Sequence, residues 1–180
     1  WFNEVAFENV RVPRSELVGG ENRGWEVLTS ALGVERITIY RAFVHLRMLW
    51  ALVRYAGQER DGARPWDDPQ VRHRLAALAA EFEVARLLLW RAIGMHERDE
   101  EFRAQAAMVK LFNTELAQRL YTAGMALLGP YGAVREGERA RWQGALPHAY
   151  LSAVQDTIGA GTSEVQREII ALRGLGLPRG

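Results

Sequence analysis

Residues 22–56 read N-R-G-W-E-V-L-T-S-A-L-G-V-E-R-I-T-I-Y-R-A-F-V-H-L-R-M-L-W-A-L-V-R-Y-A, and their spacing decides the fold class. Leu28, Leu32, Glu35, Ile39, Phe43, Leu46, Trp50 and Val53 follow one another at steps of three or four. Such steps place side chains on one face of an α-helix, so the stretch predicts a long amphipathic helix from about Asn22 to the break at Gly57. One member of the stripe is an acid. Glu35 stands where Leu or Ile would complete the row between Leu32 and Ile39. Burying a carboxylate is costly unless it is paired or protonated, and an apolar pocket gives it the raised proton affinity of a general base. The alternative is an acid at the edge of the stripe, pairing locally. Arg36 lies about a hundred degrees further round the helix, which disfavours a direct pair but allows a shared cleft.

Upstream, Val5, Phe7, Val10 and Val12 suggest a strand with a turn at Asn9, ended by Pro13 and by Gly19-Gly20. A lone strand forms no sheet, so residues 1–20 read as the end of a β domain and its linker, and 21–180 as a helical domain. Downstream, G-A-R-P-W-D-D-P at 62–69 is a loop. A second helix begins near Asp67 or Asp68, with Pro69 in its first turn and a stripe at Val71, Leu75, Leu78, Phe82, Ala85 and Leu89. After a charged connection at His96–Glu101, a third helix uses Val109, Phe112, Leu116, Leu120, Ala123 and Leu127 and stops at Gly129-Pro130. Arg135–Arg141 could form a short helix, and H-A-Y-L-S-A-V-Q-D at 148–156 another. Ser163 and Gln166 have capping-box spacing ahead of a last helix through Ile169, Ile170 and Leu172, with Gly174 as its stop. Long striped helices joined by short loops predict an all-α, up-down antiparallel four-helix bundle with a short N-terminal β remnant. Leu49, Trp50 and Phe43 suggest burial against a second copy.

The 180 residues carry 23 basic and 22 acidic side chains, a balance that gives no electrostatic case for nucleic acid or anionic membrane. Without cysteine there is no disulfide, thiolate zinc site or thiol nucleophile. No apolar run is long enough to span a bilayer and no basic-then-apolar leader opens the chain; a cytoplasmic location is expected. His45, His73, His96 and His148 lack metal-ligand spacing, so no metal site is expected. Neither a serine-hydrolase elbow nor a P-loop occurs. G-A-G-T-S-E at 159–164 lacks the third glycine and the preceding strand of a dinucleotide fingerprint.

Several segments together resemble one family. F-E-N-V-R-V-P (7–13), L-V-G-G-E-N-R-G-W (17–25), A-G-Q-E-R (56–60), M-V-K-L-F-N-T-E-L-A (108–117), L-L-G-P-Y-G (127–132) and T-I-G-A-G-T-S-E-V-Q-R-E-I-I-A-L-R-G-L-G-L-P-R (157–179) resemble, in order, segments of the acyl-CoA dehydrogenases. The resemblance implies the C-terminal four-helix bundle of that family, preceded by the end of its central β domain. It implies α,β-dehydrogenation of an acyl-CoA thioester by FAD, with reoxidation by an electron-transfer flavoprotein, in a homodimer or homotetramer. Most members place the catalytic Glu directly before Gly-Thr in the late segment, where this chain has Ala160. A smaller set, similar to the isovaleryl-CoA dehydrogenases, carries it in the first long helix just before an Arg, here Glu35-Arg36. That combination resembles a bacterial branch acting on steroid side chains and other bulky acyl-CoAs, for which the small Gly159 and Ala160 would leave room.

By the same resemblance Arg60 reaches the pyrophosphate of the FAD held by the neighbouring subunit, as suits a permanent guanidinium. Thr162 and Glu164 contact FAD from their own subunit. There are departures: Glu164 where many members have Gln, Ala126 where a Gln often contacts the partner's flavin, and Trp66 where Phe is usual near the adenine. They leave open a second reading, a non-catalytic helical assembly module or the partner subunit of a mixed oligomer. The isolated 180 residues are expected to be inactive.

Overall fold

The computed structural model describes residues 3–38, 42–60 and 62–179, with the side chains of 36–38 and 42–43 outside that description. Six α-helices follow one another: α1 Gly24–Thr38, α2 Ala42–Ala56, α3 Pro69–Glu97, α4 Arg103–Leu128, α5 Ala145–Asp156 and α6 Ser163–Ile169. The helix predicted across 22–56 is therefore helical on both sides of residues 39–41, which lie outside the described residues together with Ile39 of its stripe.

The boundaries have local causes. At the start of α3 the Asp68 carboxylate accepts the Gln70 N–H at 2.8 Å, and Pro69 fills the first helical position. α4 stops at Gly129, whose φ of 54° and ψ of −134° suit only a residue without Cβ. Two expectations are corrected. The N-terminal segment forms no strand among the described residues; Val5 is 71% and Phe7 82% exposed, because no second strand is there to pair its backbone. Arg135–Arg141 is not a helix: the chain bends through it into a 3-10 turn, Arg141–Gly144, where Trp142 and Gln143 take left-handed φ of 50° and 57°. That reversal brings Trp142 edge-on to Tyr55, with ring centroids 5.9 Å apart.

α4 lies at the centre and packs against α1, α2, α3, α5 and α6. It accordingly buries residues all round, among them Ala106, Val109, Leu116, Leu120 and Gly124. The main core joins it to Leu75, Leu78, Phe82 and Ala85 of α3, to Leu49 and Leu52 of α2, and to Leu146 of α5. The stripes predicted for α3 and α4 face this core, except that Leu89 and Val109 pack in a second cluster with Ala92 and Ala106. In α2 the buried face is His45, Leu49, Leu52 and Ala56, about one residue round from the predicted Leu46, Trp50 and Val53; Trp50 is 49% exposed. α2 is apolar on adjacent faces, so its period alone did not choose between them. Leu49, predicted to face a second copy, is buried within the chain.

Candidate functional site

The chain segment between α5 and α6 is built by a few specific bonds. Ile158 and Gly159 both donate their N–H to the Gln155 carbonyl at 2.9 Å, which closes the end of α5. Ala160 and Gly161 then take φ of 54° and 92°, two left-handed residues that turn the chain back. A Cβ on Gly161 would lie 2.6 Å from Gln166 Nε2, so glycine is required there on two counts. Gln166 is completely buried, and its Nε2 donates to the carbonyls of Ala160 (3.2 Å) and Gly161 (3.0 Å). Its Oε1 is buried without a hydrogen-bond partner.

The cap of α6 is Thr162, one residue before the predicted Ser163: its hydroxyl accepts the Val165 N–H at 3.3 Å. Ser163 instead donates its N–H to the Thr157 carbonyl at 3.0 Å, and Gln166 holds the loop rather than closing a capping box. The Glu164 carboxyl is held below its ordinary value, first by its own backbone N–H, then by the Thr162 hydroxyl, with Arg167 and Lys110 adding positive charge.

Thr162 and Glu164 line a groove of about 1250 Å³ between α6, α4 and α3. Its rim is laced by ion pairs, Arg167 with Glu115 at 2.6 Å and Arg119 with Glu81. The other predicted site residues lie elsewhere. Arg60 sits past the end of α2, its backbone paired with Ala63 in both directions, its guanidinium 4.0 Å from the centre of the Tyr55 ring, and its Nη2 donating to Gln58 at 2.6 Å. Arg60 Nε is buried without a partner. Ala126 lines a separate small pocket of about 200 Å³ with Val71, Leu75 and Leu127. Trp66 is in a 3-10 turn, its carbonyl accepting from Arg72 at 2.7 Å. Glu35 is half-buried on α1 and, like Arg60, does not line the large groove; the side chain of Arg36 lies outside the described residues.

Thr162 and Glu164 thus share the groove, Gly159 and Ala160 lie in the loop that leads to them, and neither Arg60 nor Glu35 lines that groove. Two supporting residues escaped the sequence reading. Tyr55 forms half of the Arg60 cradle, and nothing in its spacing marks it. Gln166 was read only for its spacing to Ser163.

The architecture is a helical bundle whose glycine-turned loop leads into the groove lined by Thr162 and Glu164. The family model for the acyl-CoA dehydrogenase C-terminal domain matches residues 22–175, and the chain belongs to that family. It is 32% identical over 179 residues to the acyl-CoA dehydrogenase FadE26 of Mycobacterium tuberculosis, covering 96% of this chain and 45% of FadE26. Among solved structures it is similar to the steroid acyl-CoA dehydrogenase Tcur3481-Tcur3483, with a TM-score of 0.86 and 33% identity over 97% of this chain and 45% of that one. It is similar also to a chain of the ChsE4-ChsE5 complex from Mycobacterium tuberculosis, with a TM-score of 0.83 and 32% identity over 97% of this chain and 46% of that one. The chain therefore spans under half the length of these relatives.

Proposed function

We propose that this chain is the C-terminal part of a cytoplasmic FAD-dependent acyl-CoA dehydrogenase that desaturates the α,β bond of an acyl-CoA thioester, with Glu35 as its base. The observation that carries the reading is Ala160. By the family resemblance it occupies the loop position where most members would place the catalytic carboxylate, and a methyl group accepts no proton. The acid must come from another element, and Glu35, followed by Arg36, is the one set into an apolar helical row. Glu35 would take the α-proton of the thioester, with Arg36 beside it at the substrate. Gly159 and Ala160, with almost no side chain between them, would leave space for a bulky acyl group.

The residues present fit a flavin. Thr162 and Glu164 open on one groove, Gly161 keeps the backbone free of a Cβ, and Gln166 holds a buried, unpaired acceptor beside the loop. Arg60, fixed over Tyr55 with a buried N–H to spare, has the chemistry to meet a pyrophosphate. FAD bound there would supply the hydride acceptor for the β-hydrogen, to be reoxidised by an electron-transfer flavoprotein. The chain's own contribution is to orient both ligands and hold the α-proton.

The test is a Glu35→Gln variant of the complete protein mixed with acyl-CoA in the absence of oxygen. Loss of the base should slow flavin bleaching by about 10²- to 10⁴-fold. Bleaching at the wild-type rate removes Glu35 from the mechanism. One observation favours the second reading, that of a partner subunit in a mixed oligomer: Ala126 offers its pocket only a methyl group. On that reading the complete protein, purified alone, carries no flavin.

A further inference from the structure

Lys110 is the largest side chain of the described residues that is fully shielded from solvent. An ammonium leaves water only at a cost, unless acceptors replace its hydration. Lys110 projects from α4, and its Nζ donates at 2.9 Å to the carbonyl of Asp156, the last residue of α5. The last carbonyls of a helix lack partners within it and carry the negative end of its dipole, so a cation belongs there. Here it is supplied by a different helix.

The same stripe of α4 repeats the grip. Two turns along, Gln118 Nε2 donates to the Ala153 carbonyl at 3.3 Å and to Thr157 Oγ1 at 3.1 Å. Between them Thr114 is tied back to the Lys110 carbonyl at 2.9 Å. Lys110, Thr114 and Gln118 recur every four residues, a polar row along one side of α4. The end of α5 that they hold runs straight into the loop: Thr157 accepts the Ser163 N–H, and Gly159 is bonded back to Gln155.

We infer that Lys110 is a positioning residue, whose buried ammonium fastens the end of α5 and so sets the Gly159–Thr162 loop. That this loop serves flavin and substrate rests on the reading proposed above; the fastening itself does not. Lys110 touches neither ligand on this account and acts through the loop.

Hydrogen exchange on the full chain tests it, comparing Lys110→Met, which keeps the length and loses the charge, with Lys110→Arg, which keeps the charge. In Lys110→Met the amides of Gly159 and Ser163 should exchange about tenfold faster, while those of Leu116 and Leu120 stay within about threefold of wild type. Lys110→Arg should restore protection. Equal protection of the loop in Lys110→Met, or equal acceleration of loop and core, would overturn the inference. Should Lys110→Met fail to fold, the wild type still decides: loop amides exchanging as fast as those of exposed residues 5–8 would end it. In the complete protein, a loop held open most of the time should weaken FAD binding about tenfold in Lys110→Met, with rescue by Lys110→Arg. A complete wild-type protein that binds no FAD overturns the flavin reading alone, and the exchange ratio then decides the fastening.

Discussion

Thr162 does two things with one hydroxyl. It accepts the Val165 N–H as the cap of α6 and supports the Glu164 carboxylate two residues on. Thr162→Val keeps the shape and removes both. Loss of the cap should cost about 1 kcal/mol, read from the denaturant midpoint. The pH dependence follows from the direction of the Glu164 shift. A carboxyl lowered in the folded state contributes stability above the ordinary carboxylate range and loses it as pH falls through its folded value. The gap between wild type and Thr162→Val should therefore be full near neutrality and shrink as the solution is acidified. NMR titration should find Glu164 raised toward the ordinary value in the variant; an unmoved titration would mean that the hydroxyl does not support the charge. At this scale the sequence raises candidates where chemistry contradicts pattern, as it does at Glu35 and, through the family resemblance, at Ala160. It is silent where a residue's role depends on what faces it. Nothing in A-G-Q-E-R announces that Arg60 will rest on the Tyr55 ring, because the approach is set by the turn closed between Arg60 and Ala63.

Among the elements, α4 shows how a central helix constrains its own sequence. Facing neighbours on every side, it needs small residues where they come nearest. At Gly124 an added Cβ would lie 2.8 Å from Leu146 Cδ1 and 3.2 Å from Leu52 Cδ1, two completely buried leucines with no room to retreat. Gly124→Val should destabilise the fold by about 1–3 kcal/mol through overpacking, outweighing the glycine's poor helix propensity. Thermal unfolding measures it, and a Gly124→Val protein at least as stable as wild type would show that α2 and α5 can part there. Periodicity predicted the stripe of α3 well because charge bounds its buried face, whereas in α4, buried all round, the predicted stripe is only part of what packs. In α2 it succeeded in part: Leu46 and Val53 pack against the core, but Trp50 is exposed and Leu49 takes the buried place, a choice between adjacent apolar residues that the position of α4 makes. It failed at Arg135–Arg141, where a charged run with helical propensity is bent to dock Trp142, a tertiary demand that local spacing does not encode. The N-terminal strand pattern is real as a pattern, but pairing has to be supplied by another strand.

Taken as one molecule, the chain holds its candidate groups in separate places. Thr162 and Glu164 open on the large groove, whereas Arg60 and Glu35 do not line it. That Arg60 lies off the groove lined by Thr162 is compatible with the proposed arrangement in which each flavin is held between two subunits. Large apolar side chains also remain open to solvent on several helices. Leu87 and Trp90 on α3 are each 59% exposed, and Leu151 and Val154 on α5 are 55% and 52%. Where such side chains form one contiguous patch they mark a surface for association, which the isolated chain tests. Two outcomes follow for the 180 residues on their own. Sedimentation should find species heavier than the 20.3 kDa monomer, shifting with protein concentration. Mixed with FAD and an acyl-CoA, they should show no oxidation above a protein-free control, because the remaining walls of the site would come from chain beyond this domain. The two results separate assembly from chemistry. Turnover by the isolated chain would mean that the groove of one bundle already suffices, and would move the search for the base from Glu35 to the acids that line it, Glu164 first.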